Sequence, residues 1–251
     1  MKRSGWRAPL RVSAKPARIS LGENILVAED PGALRIEGLR HSAGGRLVLD
    51  GVDLTVPRGE SVAVTGPSGS GKTTLLMSVL GLVKPDQGAV WVAGRDITRM
   101  RGRALAAHRR ANLGVVFQFG ELLPELSPVE NVALAALLAG QDHKRAYASA
   151  EDLLRGLGVP ADETPTGMLS GGERQRTAVA RALITEPAVL LADEPTGSLD
   201  RAARDSVADL LFSLPARHGC VLVVVTHDPA VADRADRTLR LDMGHLAEAL
   251  A

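Results

Sequence analysis

Alternating and unbroken runs of apolar residues divide the chain into strands, helices and turns. Apolar and polar residues alternate over 34–39 and 47–56, which predicts two half-exposed strands. Unbroken apolar runs predict further strands, and such runs are typical of strands that helices cover on both faces. These runs lie at 62–65, 89–92, 114–118, 187–194 and 221–226. The run at 221–226 is predicted to be the final core strand.

Apolar residues at helical spacing predict helices between the buried strands. The predicted helices begin near Lys72 and after Ser170, or span 129–139, 144–157 and 202–214. Helices that alternate with buried strands indicate an α/β fold with a parallel sheet, and the two early strands predict an antiparallel β flap packed against it. Residues 97–175 are predicted to form a mostly helical subdomain within a domain that spans 34–251.

Composition limits the classes of protein to which the chain can belong. Its 251 residues are 45% hydrophobic but only 2% aromatic, so a full core has to be built from Leu, Val, Ala and Ile. The net charge of +1 argues against nucleic acid as a partner. The apolar runs are shorter than the roughly 20 residues that span a bilayer. The single cysteine, Cys220, excludes a disulfide within the chain, which suits a reducing compartment.

Residues 1–33 differ from the rest of the chain because their first charges are all basic. Six Lys and Arg residues precede the first acid, Glu23, and no apolar segment of the kind found in secretory signals follows them. The favoured interpretation is a poorly ordered tail or an extended start of the reading frame. The alternative is a basic arm that rests on an anionic membrane surface.

A glycine-rich loop connects the buried strand at 62–65 to the helix that begins near Lys72. Its sequence has the form G-x-x-x-x-G-K-[ST] in the required order of strand, loop and helix. Glycines let the backbone N–H groups approach a triphosphate closely, and the start of the helix adds a positive dipole end. Lys72 is predicted to reach the β- and γ-phosphates, and the Thr73 hydroxyl is predicted to bind Mg²⁺. The predicted nucleotide contacts in this phosphate loop are Gly66, Pro67, Ser68, Gly69, Ser70, Gly71, Lys72, Thr73 and Thr74.

Two acids, Asp193 and Glu194, end the apolar run that starts at Pro187. Carboxylates at the C-terminal end of a parallel strand lie where α/β proteins bind their ligands. Asp193 is therefore predicted to coordinate Mg²⁺ through its water shell, and Glu194 to orient or deprotonate an attacking water. His227 follows another buried strand, and this position favours the same ligand edge over a histidine that is satisfied within the core.

A second glycine-rich segment, Ser170-Gly171-Gly172-Glu173, precedes a predicted helix. Ser170 with Glu173 three residues later forms a capping box, which explains the segment in purely structural terms. Outward-facing N–H groups at the two glycines could equally hold a phosphate. The residues alone do not choose between these interpretations. Gln118, at the end of the strand 114–118, is by itself only a weak signal of a functional residue.

Together these segments resemble the ATP-binding cassette (ABC) ATPases from about residue 34 to the C terminus. Six motifs occur in the family's order, which makes the resemblance highly specific. They are the phosphate loop 66–73, the Q-loop Gln118, the signature 169–173, the acidic strand end at Asp193 and Glu194, the D-loop 198–200 and the switch histidine His227.

The resemblance implies a head-to-tail dimer with two ATP molecules between two copies of the chain. Each ATP is then held by the phosphate loop of one copy and by Ser170, Gly171 and Gly172 of the other. In that scheme Gln118 senses Mg²⁺ and the attacking water, His227 contacts the γ-phosphate and Asp200 links the two sites. The implied reaction is hydrolysis of ATP to ADP and phosphate, with ATP and Mg²⁺ as cofactors.

One departure from the family concerns the aromatic residue that usually stacks on adenine after the first strand. This chain has Leu39-Arg40-His41-Ser42 in that region, so His41 is the nearest match. An imidazole offers less stacking area than a larger ring, and the preference for adenine is expected to be weaker.

The finer resemblance is to the lipoprotein-release and macrolide-export branch, through segments such as 116–118, 122–124 and 129–132. It implies an ATPase subunit that powers export or extraction from a membrane, bound peripherally to the cytoplasmic face. The partner is a transmembrane permease, which is expected to dock at the loop 119–128.

Two other function classes remain to be weighed against transport. An ABC ATPase can instead regulate cell-wall hydrolases through a membrane partner. A DNA-repair or translation factor is disfavoured, because there is neither a long heptad insertion between Lys72 and Ser170 nor a second cassette.

Overall fold

The computed structural model describes residues 33–249. The predicted N-terminal tail therefore lies outside the described residues, except for Ala33, which is buried against the core. Among the described helices, none combines the length and the apolar character needed to cross a membrane. The domain limits 34–251 remain a prediction.

Ten strands and seven α-helices are found in the described part of the chain. The strands are β1 (Leu34–Ala43), β2 (Arg46–Val56), β3 (Ser61–Thr65), β4 (Gln87–Val92), β5 (Arg95–Asp96), β6 (Leu113–Phe117), β7 (Val189–Asp193), β8 (Val221–Val225), β9 (Arg237–Asp242) and β10 (His245–Glu248). The helices are α1 (Lys72–Val79), α2 (Gly102–Asn112), α3 (Pro128–Leu138), α4 (His143–Gly156), α5 (Gly171–Leu183), α6 (Arg201–His218) and α7 (Pro229–Ala232).

The smaller sheet is antiparallel and has the strand order β2-β1-β4-β5. The predicted flap of two early strands is confirmed by the pairing of β1 with β2, although register shifts interrupt that pairing after Ile36. Two strands that follow the phosphate loop in the chain complete the sheet, since β1 also pairs with β4. The flap is thus assembled from both sides of the loop.

The larger sheet has the order β10-β9-β3-β8-β7-β6, and its strands are parallel except for β10. The predicted α/β fold with a parallel sheet is confirmed. All five residues of β8 are buried, as expected for a strand that both layers cover.

The prediction that 221–226 forms the final core strand is wrong. Strand β9 follows it and pairs in parallel with β3, and β10 then turns back along β9. Only Leu239 and Leu241 of β9 are buried, so the segment carries a half-exposed alternation rather than an unbroken apolar run. Helix α6 likewise exceeds its predicted end and continues through Pro215 until Gly219 ends it in a left-handed conformation.

Three hydrophobic clusters stabilise these layers. One lies between the two sheets and includes α1, and a second lies where α5 and α6 cover the opposite face of the parallel sheet. The third holds α3 and α4 together through side chains such as Val132, Ala146 and Leu154, and it also reaches Ala180 and Ile184 around the end of α5. The clusters give the helical part a small core of its own.

The range 97–175, predicted to form a mostly helical subdomain, also contains the strand that was predicted at 114–118. Strand β6 lies inside this range and belongs to the parallel sheet, where it pairs with β7. Helices α3 and α4 are the part that packs apart from the sheet, against α5. This arrangement carries the chain from the sheet edge at Phe117 out to the helices and back through α5.

Gly114 tests the close packing of β6 against α5. A Cβ atom at this position would lie 2.4 Å from the carbonyl oxygen of Ala182, so an alanine requires a shift of the backbone. We expect Gly114→Ala to lower the free energy of unfolding by about 2–3 kcal/mol in urea denaturation.

Gly156, the last residue of α4, is the matched control. A Cβ there would meet no atom within 4 Å. Gly156→Ala should therefore leave the free energy of unfolding unchanged or raise it by up to about 1 kcal/mol. An equal loss of stability in the two variants would contradict the packing argument.

Candidate active site

The predicted site residues emerge from one edge of the parallel sheet. Strand register aligns Val64 with Val225 and Val225 with Asp193, so β3, β7 and β8 end side by side. The phosphate loop, the two acids and His227 each follow one of these strands. Parallel strands thereby bring together residues that are more than 150 positions apart in the chain.

The phosphate loop is tightly enclosed by the neighbouring backbone. Gly66, Gly69 and Gly71 have φ values of 147°, 76° and 105°. A Cβ on Gly66 would lie 2.2 Å from the carbonyl oxygen of Leu241, and one on Gly71 would lie 2.9 Å from that of Val48. At Gly66 and Gly71 both the dihedral angle and the lack of space require glycine, whereas at Gly69 the dihedral angle alone favours it.

Lys72 begins α1 and folds back over the loop. Its Nζ atom donates to the carbonyl oxygens of Gly66 at 2.8 Å and of Pro67 at 2.9 Å. Gly71 precedes the helix without a side-chain cap, so the N–H groups of the first turn are not taken by a capping side chain. The ammonium group and this helix start together form a region of positive potential at the mouth of the loop.

Thr73 and Asp193 bring two oxygen donors together beside that region. The Thr73 hydroxyl donates to Asp193 Oδ2 at 3.3 Å. Burial raises the pKa of the Asp193 carboxyl above its ordinary value; the Thr73 hydrogen bond and the charge of Lys72 oppose this shift, and the neighbouring charge of Glu194 adds to it. A carboxylate in this position is poorly solvated and gains from any cation that approaches it.

Glu194 and His227 form a pair next to Asp193. His227 Nδ1 lies 2.8 Å from Glu194 Oε1, and the backbone N–H of Glu194 donates to the carbonyl of Val225. Glu194 has a φ of 46°, a left-handed conformation that costs energy in a residue with a side chain. The Glu194 side chain is only 20% exposed, whereas that of His227 is 71% exposed. The acid is therefore held in place while the imidazole faces outward.

Two adjoining cavities open at the phosphate loop. One, of about 300 Å³, is lined by Lys72, Thr73, Asp193 and Glu194, among others. The other, of about 350 Å³, shares Val48, Ser68 and Gly69 with the first and extends to Leu47, Met243 and Arg46. Sequence reasoning missed these three side chains and Val48, since neither charge nor glycine spacing distinguishes them. Strand pairing alone brings them to the loop.

His41 lies in β1 opposite Leu49 and is half buried. Its Nδ1 atom is buried and has no hydrogen-bond partner among the described residues. It lines neither of the two cavities at the phosphate loop, whose walls near the flap are formed by Leu47 and Val48. The structure therefore does not bring His41 together with the other site residues, and its contact with adenine stays a prediction.

Gln118 reaches the same sheet edge without lining the smaller cavity. It follows Phe117, which is aligned with Asp193 across the pairing of β6 and β7. Its carbonyl accepts a hydrogen bond from the Ser198 hydroxyl at 3.2 Å, and a Cβ on Gly197 would lie 2.9 Å from its Nε2 atom. The amide thus packs against the turn that connects Glu194 to α6.

Ser170, Gly171 and Gly172 lie at the start of α5 and line neither cavity of the phosphate loop. Ser170 is exposed, and its hydroxyl and the Glu173 carboxylate form the predicted capping box. The hydrogen bonds from Ser170 hold the pKa of the Glu173 carboxyl below its ordinary value. Asp200 caps α6 by accepting from the N–H of Ala203 at 3.0 Å. These residues form a second group, apart from the loop of the same chain.

Comparison with known proteins gives one family and many relatives. The sequence profile of the ABC transporter family matches residues 49–197. The chain is 46% identical over 220 residues to the lipoprotein-releasing system ATP-binding protein LolD of Chromohalobacter salexigens, a match that covers 86% of this chain and 93% of that protein. It is 48% identical over 203 residues to the uncharacterized ABC transporter ATP-binding protein YbbA of Escherichia coli K12, covering 80% of this chain and 89% of that protein.

Solved structures agree with these matches. A dimeric structure of a post-hydrolysis state of the ATP-binding cassette MJ0796, bound to ADP and Pi, is similar with a TM-score of 0.77 and 31% identity. That match covers 87% of this chain and 99% of the other. CbiO1 from Clostridium perfringens, part of the transporter complex cbiONQ, is similar with a TM-score of 0.79 and 27% identity, over 87% of this chain and 88% of the other.

Substitution of Asp193 tests whether its buried charge lowers the free energy of unfolding. Because burial raises its pKa in the folded state, the folded protein disfavours the ionised form. The resulting loss of stability develops as the pH rises above the unfolded pKa and is complete above the folded pKa. We expect Asp193→Asn to raise the free energy of unfolding at pH 7, without nucleotide or metal, by on the order of 1 kcal/mol or less.

The measurement is urea denaturation at pH 7 and again near pH 3. At the lower pH both states carry a protonated carboxyl, so the difference between the variant and the unaltered chain should shrink. A variant that is less stable than the unaltered chain at pH 7 would contradict the assignment of an unfavourable buried charge.

Proposed function

The chain belongs to the ABC transporter family as its ATP-binding and ATP-hydrolysing subunit, and we propose that it powers extraction of lipid-anchored proteins from a membrane. Identity of 44–47% to lipoprotein-releasing system ATP-binding proteins, over most of their length, supports the substrate class. The observation that carries the ATPase is that four side chains, Lys72, Thr73, Asp193 and Glu194, line one cavity. His227 lies beside this cavity through its contact with Glu194.

In the proposed reaction the phosphate loop binds the triphosphate. Backbone N–H groups of residues 68–74 would surround the β-phosphate, and Lys72 would exchange its bonds to Gly66 and Pro67 for bonds to the β- and γ-phosphates. This exchange preserves a charge-assisted hydrogen bond on the ammonium in both states. The loop therefore needs little rearrangement to accept its ligand.

The oxygen donors beside the loop fit a magnesium ion. The Thr73 hydroxyl and the Asp193 carboxylate are hard ligands within 3.3 Å of each other, and Mg²⁺ in such sites needs only one or two protein ligands besides phosphate oxygens and water. Gln118, one residue beyond the strand that pairs with β7, would add an amide oxygen or hold a coordinated water. When bound, the ion supplies charge neutralisation on the phosphate oxygens.

Glu194 takes the role of general base in this proposal. Its carboxylate is fixed by the contact with His227 Nδ1 and by the backbone bond to Val225, so it can orient a water in line with the γ-phosphate and accept its proton. The exposed His227 imidazole then contacts the γ-phosphate. ADP and phosphate are the products.

One chain supplies two separate halves of the ATP site. The segment of Ser170, Gly171 and Gly172, of which Ser170 is exposed, does not line the cavities of its own phosphate loop. We therefore assign these residues to the ATP bound by a second copy in a head-to-tail dimer, with Asp200 at the contact between copies. The similarity to a dimeric cassette bound to ADP and Pi supports this arrangement.

The membrane partner is expected at the loop 119–128 on the cytoplasmic face. Phe119 and Leu123 in this loop are among the large apolar side chains that remain exposed. Exposed apolar groups at one site are typical of a protein interface. The loop directly follows Gln118, so a permease bound there is adjacent to the residue that would contact the metal or a water bound to it.

Glu194→Gln tests the proposed base. Glutamine keeps the shape of the side chain but cannot accept the proton, so we expect kcat to fall by about 10²-fold or more while ATP binding persists. ATP should also trap the variant as a dimer, observed by light scattering coupled to gel filtration.

Glu186 provides the matched control, because it is an exposed glutamate with a similar positive φ of 51° outside the site. Glu186→Gln should hydrolyse ATP at the rate of the unaltered chain. Near-normal turnover in Glu194→Gln would remove Glu194 as the base.

Purification from the native membrane tests the partner and the substrate class. A tagged chain should bring with it a transmembrane permease, and the complex in lipid vesicles should release lipid-anchored proteins only when ATP is added. Alanine at both Phe119 and Leu123 should reduce recovery of the permease without changing ATP binding. Recovery of a cell-wall hydrolase regulator instead would contradict the proposed substrate.

A further inference from the structure

The residue that follows the switch histidine is held by an arginine of α6. Arg204 Nη1 lies 2.9 Å from Asp228 Oδ2, and the two side chains are only 26% and 25% exposed. The remaining Asp228 oxygen accepts from the N–H of Ala230 at the start of α7, and the Asp228 N–H donates to Thr226 Oγ1. Asp228 is thus fixed on both of its carboxylate oxygens and on its backbone.

Arg204 is itself fixed within α6. Its backbone N–H donates to the carbonyl of Asp200, the residue that caps the helix. Its guanidinium also lies 3.4 Å from Asp205, and Asp205 is shared with Arg234 at 3.2 Å. A guanidinium that contacts two carboxylates in a half-buried position has little freedom to move.

The same end of α6 packs against the double-glycine segment. A Cβ on Gly171 would lie 3.1 Å from Leu199 Cδ2, and one on Gly172 would lie 3.4 Å from the Cβ of Ala203. At these distances a methyl group at either glycine would touch residues around the start of α6, so the two helices pack closely here. The first turn of α6 therefore lies between the signature glycines on one side and Asp228 on the other.

We propose that Arg204 is a positioning residue for the ATPase reaction: through Asp228 it fixes His227 relative to Glu194 and ties this pair to the start of α6. The inference rests on the proposed function, because it assigns His227 and Glu194 to catalysis. Arg204 touches no reacting atom. Its effect passes through the backbone between Asp228 and His227, which are consecutive residues.

The position of His227 depends on this restraint because little else holds it. The side chain is 71% exposed, and its described hydrogen bonds are to Glu194. Without Arg204, Asp228 still accepts the hydrogen bond from the N–H of Ala230 in α7, but it loses its ion pair with α6. The backbone at His227 can then shift, and catalysis is sensitive to shifts of about 1 Å.

Arg204→Ala is the test, with Arg234→Ala as its matched control. Arg234 joins α6 to α7 through Asp205 and Asp209 and does not contact Asp228 in the described hydrogen bonds and ion pairs. We expect Arg204→Ala to lower kcat about five- to tenfold with KM for ATP nearly unchanged. Arg204→Lys, which keeps the charge, should recover part of the rate. Arg234→Ala should lose thermal stability but keep kcat.

A second measurement follows His227 without turnover. The imidazole ¹⁵N signals in the full chain report the tautomer held by Glu194, and Arg204→Ala should shift them toward a mixture of tautomers while Arg234→Ala leaves them unchanged. Unchanged signals and kcat in Arg204→Ala, or an equal fall of kcat in Arg234→Ala, would overturn the inference. Absence of ATP hydrolysis in the unaltered chain would contradict the proposed function instead, and the imidazole signals would still decide this inference.

Discussion

The register of three adjacent parallel strands is the constraint on which the site depends. Strands β3, β8 and β7 end level with one another, so the phosphate loop, His227 and the acids at 193 and 194 leave the sheet at a single edge. A slip of one residue would turn every side chain of a strand to the opposite face. The buried apolar residues on both faces of these strands prevent such a slip, because any other register would leave them against the wrong neighbours. Core packing thereby sets the distances within the site.

The site also carries features that oppose folding. Asp193 is buried enough to raise its pKa, Glu194 has a left-handed backbone, and Gly66 and Gly71 occupy conformations with no room for a side chain. The buried Asp193 carboxylate and the left-handed Glu194 backbone are unfavourable in the chain without a ligand. The glycines lose more conformational entropy on folding than other residues would, but they leave space for a phosphate. The three hydrophobic clusters supply the stability that lets these features persist. Residues of the core and residues of the site are therefore selected by different physical demands.

Local patterns account for most of what the sequence could predict. The glycine spacing before Lys72, the acids that end an apolar run and the order of the six motifs lie within short segments, and the membership in the ABC family that they indicated is confirmed. The predictions failed or were silent where strands from distant parts of the chain meet.

Strand β9 was missed because only Leu239 and Leu241 are buried in it, so it has no unbroken apolar run. Val48 and Met243 reach the cavity through pairing that no local signal records, and the contact between Arg204 and Asp228 joins two elements 24 positions apart. His41 does not line either cavity at the phosphate loop, and its contact with adenine stays a prediction.

The separation of Ser170 from the phosphate loop of the same chain has a consequence for heredity. If two copies complete each other's sites, an altered copy that still pairs places its defect in every dimer it joins. A cell that makes intact and defective chains in equal amounts would then hold a majority of mixed dimers and defective ones. A defective allele would then also lower the activity of chains made from the intact allele. Changes that destabilise the fold enough to prevent pairing would instead remain recessive.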